Sequence, residues 1–123
     1  MTDAQAPQAS HAPQAMAAMD VLVTYVPVAS TSAVLDAVFA AGAGALGNYR
    51  ECAFVLRGRG QFRPVTGANP AVGQVGELEH VEEDRIEVVF PRSIRDTVVA
   101  ALRASHPYEE PAFHVIATAD DVG

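Results

Sequence analysis

The chain has no lysine. Its eight basic residues are all arginine, against fifteen Asp and Glu, for a formal net charge of −7. That removes Schiff-base lysine chemistry and a phosphate-loop lysine together. An acidic chain without a basic stripe is poorly suited to nucleic acid or an anionic membrane. Cysteine is almost as scarce. Cys52 stands alone, so an intrachain disulfide and a Cys-rich metal site are both excluded. A single unpaired cysteine fits a reducing compartment, and a cytoplasmic location is expected. Apolar runs fall well short of the roughly 20 residues that cross a bilayer. No Ser/His/Asp or paired-carboxylate arrangement can be read along the chain, so no catalytic residue is assigned.

What remains is a globular composition. The 123 residues suit one domain, half of them are hydrophobic and 19% are charged. A domain of this size gains from association. Residues 1–19 are mostly Ala, Gln and Pro, with Pro7 and Pro13 interrupting any helix. They lack the charged start and continuous apolar stretch of a secretory signal. A disordered tail is expected there, a folded domain over 20–119, and a short tail over 120–123. His11, in the first tail, receives no role.

Periodicity predicts the elements. Residues 21–28 (VLVTYVPV) are β-branched and aromatic, a strand ending near Pro27. Ser30, Thr31 and Ser32 offer capping oxygens to a helix whose apolar stripe is Val34, Leu35, Val38 and Phe39. Gly42 and Gly44 close it. Residues 51–63 alternate, with Phe54, Leu56, Gly58, Gly60 and Phe62 on one face and Val55, Arg57, Arg59, Gln61 and Arg63 on the other. That pattern predicts a long, half-buried strand. Residues 64–76 (PVTGANPAVGQVG) are dense in turn formers and predict a loop, mobile and function-bearing. Residues 77–90 return as a strand. Ser93 and Asp96 resemble a capping box before a helix striped by Ile94, Val98, Ala101 and Leu102. Pro107 stops that helix, and residues 112–118 make the last strand.

This order, βαββαβ, predicts an α+β, ferredoxin-like fold: a four-stranded antiparallel sheet with two helices on one face. The other face is then bare. Tyr25, Val55, Val89 and Ile116 are its candidates, and an exposed apolar face predicts a homo-oligomer.

Two stretches carry a resemblance: residues 42–54, GAGALGNYRECAF, and residues 105–113, SHPYEEPAF. With GRGQFRP and GANPAVGQVGELEHVEEDRIE between them, residues 21–118 resemble the insertion domain of the NGG-one-interacting-factor family. These proteins are also called YqfO-like or dinuclear-metal hexameric. The same domain looks like CutA and the nitrogen-regulatory PII proteins. The resemblance implies a CutA/PII-like fold and a trimer, with a dimer as second choice. It also implies that ligands and partners act at the connection matching residues 64–76. The family's two metals sit on a flanking core domain that this sequence does not contain, so that chemistry does not carry over.

Candidate sites follow. Arg57, Arg59 and Arg63, beside Gly58 and Gly60, suit an anion such as a nucleotide phosphate. The alternative is a cross-strand ladder with Glu77, Glu79, Glu83 and Glu87. Tyr49 and Tyr108 are aromatic candidates for the same ligand. His106 and Glu110 suit a divalent metal, the one cofactor suggested. The alternative is structural, with His106 closing the helix as a cation and Tyr108 packing. Glu79, His80, Glu82, Glu83 and Asp84 read as a solvated edge. Cys52 reads as a small buried hydrophobe.

The leading function is a non-enzymatic, oligomeric module that binds a small ligand, a metal ion or a partner protein. One alternative is an enzyme or enzyme subunit related to the metal-dependent family. Another is an interaction domain for a separately encoded core protein.

Overall fold

The computed structural model describes residues 18–119. The tails expected over 1–19 and 120–123 lie outside the described residues, apart from Ala18 and Met19. Six elements follow in order: β1 (Met19–Pro27), α1 (Thr31–Ala40), β2 (Phe54–Phe62), β3 (Glu79–Pro91), α2 (Arg95–Ser105) and β4 (Phe113–Ala117). They form one four-stranded sheet in the order β2-β3-β1-β4, antiparallel throughout. The fold is ferredoxin-like.

The core lies between the helices and one sheet face. Leu22 and Val26 of β1 and Ile86, Val88 and Phe90 of β3 meet Val34 and Val38 of α1 and Val98 and Leu102 of α2. Each is essentially removed from water, which stabilises by about 1.5–3 kcal/mol per large side chain. Leu35, Phe39 and Ile94 pack at its margin.

Neither helix is capped as expected. A short 3-10 turn precedes each one, Val28–Ser30 and Arg92–Ile94. The capping positions are Ser30 and Ile94, and neither makes a side-chain cap bond. Ser93 falls within the second turn, one residue before the cap position. The Thr31 hydroxyl instead donates to Asp84 Oδ2 at 2.7 Å, joining α1 to β3.

The glycine segment after α1 is pinned to the sheet. Gly44 has φ +85, and a Cβ there would sit 2.8 Å from the Phe39 ring. Its N–H donates to Val89 O at 2.7 Å. Cys52 follows at its end and is half-buried rather than buried.

β2 departs from expectation. It is an edge strand, and Phe54, Val55 and Leu56 are 61%, 43% and 56% exposed. The helices lie over the central strands and leave this edge uncovered. The register Val55↔Ile86 also places Val55 on the helix side. The bare face instead carries Tyr25, Val89 and Ile116, as expected, together with Phe54 and Leu56.

Candidate functional site

The bare face is not flat. At the end of the sheet where β2 turns toward β3, a cavity of about 610 Å³ opens. Tyr25, Leu56, Gly58, Gly60, Phe62, Glu83 and Arg85 line it from the strands. Pro64, Ala68, Pro70, Ala71 and Val72 line it from the β2–β3 loop, and Tyr108, Glu109, Glu110 and Ala112 from the turn before β4. The size lies within the range of small-molecule sites.

Local structure holds these three parts together. The loop base is closed by Gly76 N–H donating to Pro64 O at 2.7 Å and by Arg63 Nη1 donating to Gly76 O at 2.8 Å. The loop meets the turn through Asn69 N–H, which donates to Glu109 Oε1 at 3.1 Å. The turn is set by His106. Its Nδ1 accepts from Tyr108 N–H at 3.1 Å, which leaves Nε2–H to donate to Tyr25 O at 2.8 Å. Burial pushes its pKa below the ordinary histidine value, against the opposing effects of Tyr25 O and Glu83. His106 is therefore neutral and held in one tautomer.

Tyr108 then projects into the cavity. Its ring meets His106 at 5.0 Å and Phe62 at 5.6 Å between centroids. Its hydroxyl donates to Glu83 Oε2 at 2.8 Å. Burial first, and then this bond to Glu83, hold its pKa well above the usual tyrosine value. Glu83 is 9% exposed. Its other oxygen lies against Gly60, where a Cβ would occupy the carboxylate's place.

The structure sorts the sequence candidates. Arg57, Arg59, Arg63, Tyr108 and Glu110 all border the cavity. Tyr49 does not. It lies 74% exposed in a turn bridged to Leu46. Arg57 and Arg59 belong by register to the helix side, opposite Asp84 and Glu82. Arg57 Nε donates to Asp84 Oδ1 at 2.7 Å, and Glu82 stands 3.9 Å away. Thr31 first, and then Arg57, lower the Asp84 pKa, and the same bond raises that of Arg57.

The expected ladder with Glu77, Glu79, Glu83 and Glu87 does not form; Arg57 pairs across the strands with Asp84 and Glu82 instead. In this antiparallel register odd-numbered residues of β2 face even-numbered residues of β3. The acidic run is likewise no uniform solvated edge, because Glu83 and Asp84 are buried. His106 closes α2 with its N–H on Leu102 O, but as a neutral ring. Both its nitrogens are spent on backbone partners. Among the described residues, no group of three or more His, Cys, Asp or Glu gathers as a metal site.

Sequence reasoning missed Glu83 and Arg85 as cavity residues. The signal was their shared parity with Tyr25-facing positions of β3. Arg85 Nε donates to Glu87 Oε2 at 3.0 Å, with Nη1 3.3 Å from Tyr25 Oη.

Comparison with known proteins agrees with this fold. A protein of Mycobacterium leprae named GTP cyclohydrolase 1 type 2 homolog is 50% identical over 102 residues, covering 83% of this chain. A Bacillus cereus protein related to NIF3 superimposes with a TM-score of 0.72 at 40% identity, covering 83% of this chain. The chain is a homologue of one segment of the NIF3-related proteins. It spans about a quarter of the length of the curated relatives it matches, 26% of the M. leprae protein and of the B. cereus chain alike. No protein-family model matches it.

Two further structures share the fold across most of both chains. CutA1 of Pyrococcus horikoshii has a TM-score of 0.61 at 18% identity, over 85% of this chain and 86% of that one. GlnK of B. subtilis has 0.52 at 12%, over 82% and 85%. The fold is therefore CutA/PII-like. Among the described residues, no helix is long and apolar enough to cross a membrane.

Proposed function

We propose that the folded unit over 20–119 is a non-enzymatic binding module that takes a small ligand in the bare-face cavity and assembles with copies of itself. The observation that carries this reading is the cavity. Three separate segments, β2–β3, their loop and the turn before β4, converge on about 610 Å³ of mainly apolar space with buried polar groups at its base. Concave, preformed and sparsely polar is the pattern of a ligand site.

Self-association draws on the other end of the same face. Phe54 and Ile116 are each at least half exposed on the face that also carries Val21 and Val89. A second copy is the occupant we favour, because Arg85 and Glu87 on this face already pair within the chain and ask nothing of a partner. A trimer is the favoured number, by likeness to the CutA/PII-like fold.

Native mass spectrometry of freshly purified protein tests both halves. The expected spectrum is a trimer carrying a retained small molecule. A bare monomer would defeat the reading. The relatives' name raises a second possibility, a part of a GTP-cyclohydrolase-like enzyme. A guanine nucleotide as the retained molecule would favour that instead.

A further inference from the structure

The polar groups around the cavity are unevenly satisfied. Arg57 is bonded to Asp84, Arg63 to Gly76 O, and Arg85 to Glu87. Arg59 has no partner among the described residues, but its register opposite Glu82 places it on the helix side of the sheet. Glu83 is different. It is nine-tenths buried, and among the described residues its one side-chain hydrogen bond comes from a neutral donor, the Tyr108 hydroxyl. No arginine or histidine of the described residues stands within ion-pair distance of it. The nearby His106 ring is neutral, with both nitrogens engaged.

A carboxylate taken out of water needs a charged partner or several donors. Glu83 has one donor. Glu109 and Glu110 add negative charge at the rim of the same cavity. The Phe62 and Tyr108 rings line the same cavity, and aromatic rings attract cations. Gly60 completes the arrangement, since any side chain there would evict the carboxylate.

We infer that Glu83 anchors a cationic nitrogen, a protonated amine or amidinium, carried on a small apolar body that fills the cavity. This inference rests on reading the cavity as a ligand site and adds the chemical class of the ligand. The ligand's charged end would meet the Glu83 carboxylate beside the Tyr108 hydroxyl. Its apolar body would lie along Leu56, Pro70 and Val72. The arginines that border the cavity are not the recognition element: Arg57, Arg63 and Arg85 are already held by Asp84, Gly76 O and Glu87, and Arg59 is aligned by register with Glu82.

Three isosteric probes separate the possibilities: benzamidine, neutral benzamide and anionic benzoate. Each is titrated into the full chain at pH 7 while backbone amides are followed by two-dimensional NMR. Benzamidine is expected to shift Gly58, Gly60 and Tyr108, with an affinity at least tenfold above benzamide and benzoate. Glu83→Gln is expected to remove that advantage. Benzoate or benzamide binding the same residues as tightly would overturn the cationic assignment and leave the cavity reading standing, as would unchanged benzamidine affinity in Glu83→Gln. Failure of every probe to shift the cavity amides would overturn the cavity reading and this inference with it. The wild-type comparison decides the matter even if the variant does not fold.

Discussion

His106 sits where one residue joins a helix end, a strand and the cavity wall. Its two ring nitrogens tie Tyr108 N–H to Tyr25 O, and burial depresses its pKa from 6.5. The consequence for stability has a definite sign. Near and just below pH 6.5 the unfolded chain binds a proton that the folded chain refuses, so stability rises with pH there. The full contribution is present above the unfolded value and is lost as pH falls toward the depressed folded one. Urea unfolding between pH 5 and 8 should show this as a rise in stability with pH, bounded for a single group by about 1.4 kcal/mol per pH unit. His106→Asn should flatten that slope while lowering stability at pH 8. An identical slope in the variant would assign the effect elsewhere.

At the scale of elements, the β2–β3 loop is the softest part of the cavity wall by its bonding. Its base is closed by the Gly76 to Pro64 bond, and its span touches the rest of the chain at Asn69 and Glu109. Amide exchange across residues 66–75 should be faster than in β1 and β3, whose amides lie in a paired ladder. Ala68 and Asn69 are the expected slower positions, because their N–H groups donate to Val65 O and Glu109, as is Gly76 just beyond the span, whose N–H donates to Pro64 O. Glu109→Ala should speed exchange at Asn69 selectively. Protection across the whole span equal to the core strands would make the loop part of the rigid scaffold.

Among the described residues, one sheet face is left uncovered, divided between the cavity and an apolar end. If that end is where copies meet, a charge placed in it must be buried without a partner on assembly, which is strongly unfavourable. Ile116→Glu should therefore shift light scattering at micromolar concentration from the oligomer to the monomer. Ile116 is half exposed in β4, so the substitution should leave the fold intact by circular dichroism. An unchanged oligomer would place the contact on another surface.

The amino-acid order alone determined which segments are strands and which are helices. Alternation in Phe54–Phe62 and the stripe at Val34 and Val38 are local patterns, and each sets which side chains share a face. Motifs such as SHPYEEPAF carried the family relationship, because several of them recur in order. Local patterns do not carry register. Only the pairing of Arg57 with Asp84 and Arg59 with Glu82 showed that these two arginines are not aligned with Glu83, which dissolved the expected ladder. Burial was hidden for the same reason. Glu83 and Asp84 are neighbours in an acidic run, yet one faces the cavity and the other faces Thr31. The cavity itself joins residues up to 87 positions apart, from Tyr25 to Ala112. Its shape depends on where three segments meet, and that is decided by packing over the sheet rather than by any one stretch of sequence.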